Sequence, residues 1–177
     1  MSSKPVLFIA IFCAALLAAG VSRAEEMHKA NPLDTVPEKM PFDLPYGAPI
    51  SLERAQTVIA AALAEAKKHD WKMNIAVVDS GGNLVAFQRM DGAQLASIQI
   101  SEHKARAAAT FRRETKVFEN AIQVNNMPYV ATLDGAIGSR GGIPLVEGGK
   151  LVGAIGCSGG AGSQDEVSCK AGAAALK

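Results

Sequence analysis

Residues 141–172 read GGIPLVEGGKLVGAIGCSGGAGSQDEVSCKAG, and their reading decides the fold. Two apolar runs, Ile143–Val146 and Lys150–Cys157, flank Gly148-Gly149, a pair suited to a two-residue hairpin turn. Glycines at 153 and 156 thin the second run and let another backbone or a helix press close. After the loop 158–162, Ser163-Gln-Asp-Glu166 has the spacing of a capping box, with Ser163 as N-cap and Glu166 reaching back. Asp165 and Glu166 also suit the positive end of that helix. The stretch is therefore strand, tight turn, strand, glycine loop, helix.

The same loop invites three catalytic readings, and each fails on order or charge. Gly156-Cys-Ser158-Gly-Gly160 matches G-x-S-x-G between a strand and a helix, but that fold needs an acid and then a histidine downstream, and no histidine follows His103. A phosphate loop lacks G-K-[ST], and Asp165 would fall where the third glycine of G-x-G-x-x-G belongs, repelling a phosphate. Cys157 as a papain-type nucleophile needs the same missing downstream histidine. Turns and close packing explain the glycines more simply.

Working outward, Asn74–Asp79 and Leu84–Arg89 flank Ser80-Gly-Gly-Asn83, a second hairpin in which Gly81-Gly82 supplies positive φ. Upstream, Ser51 caps a helix whose Leu52, Ala55, Val58, Ile59, Ala62, Leu63 and Ala66 form one apolar face. Lys67, Lys68 and His69 close its last turn, where cations suit the dipole. Between the hairpins a helix runs from about Leu95 to Arg112 with two apolar stripes, one through Ala96, Ile100, His103, Ala107 and Phe111 and one through Leu95, Ile98, Ala105 and Ala109. A helix apolar on two sides is buried on two sides, here by the sheet and by a second subunit. Thr115 caps a short helix over Lys116–Val124, and residues 125–140 read as a loop with one helical turn after Pro128. The last helix is expected over Gln164–Leu176. Hairpin strands with helices gathered between them give an α+β domain with an antiparallel sheet, and a fifth strand is allowed before Gly141.

The start has the form of a secretory signal over residues 1–24: Lys4, an apolar run Val6–Gly20, and the small-x-small site Ser22-Arg23-Ala24. Removing it leaves 153 residues with 16 basic and 17 acidic side chains, one domain without the basic footprint of a nucleic-acid binder or of a protein on an anionic membrane. It also removes Cys13, leaving Cys157 and Cys169 in an oxidising periplasmic or extracellular setting where two thiols pair. Cys157 ends a strand and Cys169 lies in the helix that folds back over it, so a Cys157–Cys169 disulfide with Cα atoms about 6 Å apart is expected. Residues 25–50 hold five of the eight prolines, at 32, 37, 41, 45 and 49, and read as an extended tail that Phe42, Leu44 and Tyr46 anchor on the domain or on a neighbouring subunit, with His28 solvated. The domain proper spans 51–177.

Across that domain Ala76-Val-Val-Asp79 with Gly81-Gly82, Arg89-Met-Asp-Gly-Ala93, Lys104-Ala-Arg106, Gly141-Gly-Ile-Pro-Leu145, Val152-Gly-Ala-Ile-Gly156, Ser158-Gly-Gly160 and Gln164-Asp165 resemble the GlcG/HbpS-like family, which includes the C-terminal domain of PduO-type adenosyltransferases. The sequence departs from the usual pattern at Cys157 and Cys169, where apolar or small residues are more familiar. The resemblance implies a profilin-like, three-layer α/β/α domain with a five-stranded antiparallel sheet, assembled as a homo-oligomer, a tetramer or octamer, some of whose members bind haem. It hands over no catalytic motif.

Three functions follow as expectations. The first is an exported haem-binding protein for scavenging, storage or redox sensing. Haem needs an axial donor in an apolar slot, and His103 offers imidazole, with Met90 and Phe111 as neighbours and Lys104, Arg106 and Arg140 for the propionates. An interface histidine bonded across the oligomer is the plainer reading of the same position, since a helix buried on two faces explains it alone. No C-x-x-C-H is present, which excludes covalent haem attachment. The second is an enzyme or accessory subunit holding a small organic acid between subunits with Arg89, Asp91 and Arg140; Asp91 has a plainer role as a turn residue. The third is a sensory partner docking through the proline-rich tail. Export is tested directly: the intact mass of secreted protein is expected to begin at Glu25, and any other start refutes the assigned site.

Overall fold

The computed structural model describes residues 31–176, and the signal segment and His28 lie outside the described residues. Eight elements follow in order: α1 (Leu52–Lys68), β1 (Asn74–Asp79), β2 (Leu84–Arg89), α2 (Ala96–Thr110), α3 (Lys116–Gln123), β3 (Gly142–Glu147), β4 (Lys150–Ser158) and α4 (Gly162–Ala174). Single 3-10 turns lie at Pro32–Asp34 and Pro128–Thr132, the second being the turn expected after Pro128. Residues 31–41 and residues from Phe42 onward fall in separate compact units.

The sheet is antiparallel, in the order β2-β1-β4-β3. Alternation along β1 sends Ile75 and Val77 to one face and Ala76 and Val78 to the other. The first face packs on α1 and, through Cys169, on α4. The second meets Ala105, Ala108 and Ala109 of α2. The result is the expected three-layer arrangement. In β4 the phase slips: Leu145 faces Gly153 but Val146 faces Leu151, so Val152 is an extra residue. That bulge lets Val152 and Ile155 share one face while Leu151 and Ala154 share the other.

Among the described residues the sheet has four strands, not five. Residues before Gly141 stay out of it because Pro128 starts a 3-10 turn and Arg140 is held by Glu119. The open side of β4 beyond β1 is taken instead by the proline-rich segment. There the Leu151 amide donates to the Pro45 carbonyl at 2.8 Å, and the amides of Gly47 and Ile50 donate to Leu151 and Val152 at 2.7 and 2.8 Å. Pro45 and Pro49 have no N–H, so the contact stops at one parallel bridge, Tyr46 to Leu151. The expected anchors hold on the domain itself: Leu44 packs on the alanine face, the Tyr46 hydroxyl donates to the Thr110 carbonyl at 2.8 Å, and the Arg113 guanidinium lies 3.2 Å from the Phe42 ring centroid.

Two helix starts differ from expectation. α4 begins earlier, with Ala161 as N-cap, and only half a capping box forms: the Ala161 amide donates to Gln164 Oε1 at 2.8 Å. Glu166 is drawn away to Lys116 and Lys170; Asp165 stays in the first turn of α4, its oxygens taken by Lys104 and by the amides of the loop that enters the helix. Thr115 does not cap α3; its hydroxyl accepts from the Gly142 amide at 2.9 Å. Ser51 does cap α1. In the hairpin at 80–83 only Gly82, not Gly81, takes positive φ, at 84°.

Cys157 and Cys169 form the disulfide, with Cα atoms 5.6 Å apart and both residues buried. Closing a loop of this length removes unfolded-state entropy worth about 3 kcal/mol in the chain-entropy model. Ellman titration of unreduced protein is expected to find no free thiol at either position, and reduction is expected to cost stability of that order; two titratable thiols would overturn the pairing.

Candidate functional site

The sequence places four candidate residues on one helix, and the structure sends them to different surroundings. His103 is half-buried on α2, with Nε2 3.3 Å from the Gly135 carbonyl oxygen. A carbonyl only accepts, so this nitrogen is the N–H, and in the neutral ring Nδ1 keeps its lone pair. Two turns on, Phe111 stands edge-on to Phe118, centroids 5.0 Å apart, beside Met127 and Ile137. Arg106 turns to the β1–β2 hairpin, its Nε donating to the Gly82 carbonyl at 3.4 Å.

Lys104 faces inward and is only 1% exposed. Its ammonium donates to Asp165 Oδ2 at 2.7 Å and to the Cys157 carbonyl at 3.2 Å. Asp165 Oδ1 in turn accepts from the amides of Gly159 and Gly160 at 3.1 and 3.2 Å. Burial pushes the Asp165 carboxyl up, against the Lys104 ammonium and those N–H groups, which pull it down. Gly141 makes room for the pair: at φ 115° a Cβ there would sit 2.8 Å from Asp165 Cβ and 3.2 Å from Lys104 Nζ.

Arg140 lies beside this lock. Its backbone amide and Nε donate to the two Glu119 oxygens at 2.7 and 2.6 Å, and Nη1 reaches Glu166 at 3.3 Å. Hydrogen bonding from Arg140 holds the Glu119 carboxyl below its ordinary value. A carboxyl depressed in the native state adds stability above its unfolded value, and that contribution is lost as the pH falls through the native one. Burial would raise Glu166, but hydrogen bonds from Lys170 and Lys116 outweigh it and leave the group lowered.

Met90 lies in another part of the domain, at the end of β2, where its sulfur accepts from the Met73 amide at 3.4 Å. It lines a cleft with Arg89 and Asp91, so two of the three residues expected around an organic acid come together and Arg140 does not. The sequence reading missed Glu119, Asp165 and Glu166 as partners of Lys104 and Arg140. Their spacing marked two of them only as carboxylates at a helix start. It also missed Lys72 and Lys67 beside Arg89, the latter having read as a last-turn cation. Among the described residues no group of three or more His, Cys, Asp or Glu side chains could hold a metal ion, and no helix is long and apolar enough to cross a membrane.

Layers, strand order and α2 packing define the class, an α+β domain whose fold recurs in ORFY of Klebsiella pneumoniae (TM-score 0.69, 27% identity, covering 81% of this chain and 97% of that one). A double-substituted HbpS of Streptomyces reticuli is equally similar (TM-score 0.68, 28% identity, 84% of this chain and 98% of that one). Protein GlcG of Escherichia coli K12 is 42% identical over 109 residues, 62% of this chain and 81% of that protein. The family model described as haem degrading protein HbpS-like matches residues 50–174, and the chain belongs to that family.

The buried pair is open to a double-mutant test. Removing one partner leaves the other charge buried and uncompensated, so Lys104→Met or Asp165→Leu is expected to cost about 3–5 kcal/mol in urea unfolding, while the double variant recovers most of the loss. Additive losses would show that the two groups do not stabilise each other.

Proposed function

We propose that the chain is an exported haem-binding protein that takes the iron through the His103 imidazole, in a role of scavenging, storage or redox sensing outside the cytoplasm. One observation carries the assignment: Nε2 of His103 is tied to a backbone carbonyl, which leaves Nδ1 as the donor. Metal-ligating histidines are held in this way, the second ring nitrogen fixing tautomer and orientation. Phe111, Met127 and Ile137, partly buried around the enclosed Phe118, would offer apolar contact to a flat macrocycle on that side of the domain. The family description supports the same ligand. Haem bound there would supply redox-active iron, while the chain's own residues set the donor and exclude water.

The propionate partners expected from sequence fit less well. Lys104 is enclosed with Asp165, and Arg140 is engaged by Glu119 and Glu166. Propionates are left to solvent, to Arg106, or to a second copy of the chain. Exposed apolar side chains support assembly into a tetramer or octamer, Leu95 at the start of α2 being 71% exposed and Val124 after α3 74%.

Haemin titration of wild type and His103→Ala tests the assignment. The variant is expected to lose or shift the Soret band while far-UV circular dichroism stays unchanged, because the ring is half-buried and outside the alanine core. A Soret band identical to wild type defeats the assignment. If the oligomer then weakens on size exclusion, His103 is a subunit contact.

A further inference from the structure

A second site lies at the end of β2, away from His103. Leu63 and Lys67 from α1, Lys72 before β1, and Arg89, Met90 and Asp91 line a cleft of about 460 Å³. Its walls come from three parts of the chain held together by the core, so the cleft is a product of the fold. The Met90 amide donates to the Met73 carbonyl at 2.9 Å, and the Ala93 amide closes a turn onto Met90 at 3.1 Å, which fixes Asp91 at the rim.

The charges there are unspent within the chain. Lys72 is paired with Asp70, but Lys67, Arg89 and Asp91 have no side-chain hydrogen bond or ion pair among the described residues. Arg140, Lys170 and Lys104, by contrast, are each paired with carboxylates. Two unpaired cations facing one cleft favour a carboxylate, and Arg89 can take it through two parallel N–H bonds. Asp91 accepts hydrogen bonds only, so beside that carboxylate it selects a ligand that carries a donor. Leu63 and Met90 offer apolar contact to the remainder; the Met90 thioether adapts to irregular shapes.

The geometry points to this cleft as a binding site for a small 2-hydroxy acid with an apolar tail, its carboxylate on Arg89 and Lys67, its hydroxyl donating to Asp91, and its tail against Leu63 and Met90. The site is independent of haem binding and needs no second subunit.

The probe is 2-hydroxy-4-methylpentanoate, titrated into the purified full-length protein and followed by the Met90 methyl resonance, assigned by its disappearance in Met90→Leu. A saturable shift is expected. Arg89→Ala is expected to weaken it by about tenfold or more, the loss of a charge-assisted contact, and Arg140→Ala to leave it unchanged. 4-Methylpentanoate, which keeps charge and tail but lacks the hydroxyl, is expected to bind more weakly than the hydroxy acid to wild type, with that difference erased in Asp91→Ala, which removes the acceptor. The neutral amide of the hydroxy acid is expected not to bind. A shift that never saturates, one equal for the amide, or one indifferent to Arg89→Ala overturns the site. Retained hydroxyl discrimination in Asp91→Ala overturns the role given to Asp91. None of these readouts involves haem, so failure here leaves the His103 assignment standing, and the reverse holds as well.

Discussion

Two glycines facing each other across the β3–β4 ladder let α2 lie directly on the sheet, and the rest of the domain depends on that contact. Gly142 and Gly156 are register partners. A Cβ on Gly156 would fall 2.0 Å from the Ser101 carbonyl oxygen, and one on Gly142 would fall 2.3 Å from that of Lys104. No side chain fits either gap, so backbone meets backbone and the helix is pinned in height and rotation. The small residues around it follow from the same closeness: Ala105, Ala108 and Ala109 are fully buried because nothing larger fits between this helix and the strands.

Pinning α2 at that height puts Lys104 where its ammonium meets Asp165 and the Cys157 carbonyl. Cys157 thus serves both faces of the sheet, its carbonyl bonded to Lys104 on one and its sulfur bridged to Cys169 on the other. Both ties end on α4. A buried ion pair is poor evidence of stability, since desolvation offsets much of the attraction. What it supplies is position: with Lys104 turned inward, the neighbouring His103 lies about 100° round the helix, its ring at the Gly135 carbonyl.

The two proposed sites therefore draw on different parts of the fold. The His103 side depends on α2 and on the turn after Pro128, whereas the cationic cleft depends on the end of α1 and the β2 terminus. The haem reading rests on one imidazole and its carbonyl; the cleft rests on unpaired charge. Arg140, a candidate for both in the sequence, is held by Glu119 through side chain and backbone together.

The sequence by itself determined the elements and the layers, because these are local matters. Periodicity gave the helix faces, glycine pairs gave the hairpins, and Gly153 and Gly156 announced a close approach. The two cysteines at the end of a strand and on the following helix were enough for the disulfide. Only the tertiary structure decided which charges meet. Lys104 with Asp165 spans 61 positions and Arg140 with Glu119 spans 21, separations at which no periodicity connects two side chains. It also decided the strand count, since the partner of β4 beyond β1 is a proline-rich segment that carries no strand pattern. That segment bonds where its few N–H groups happen to face the Leu151 and Val152 carbonyls, a match that exists only once the sheet has formed.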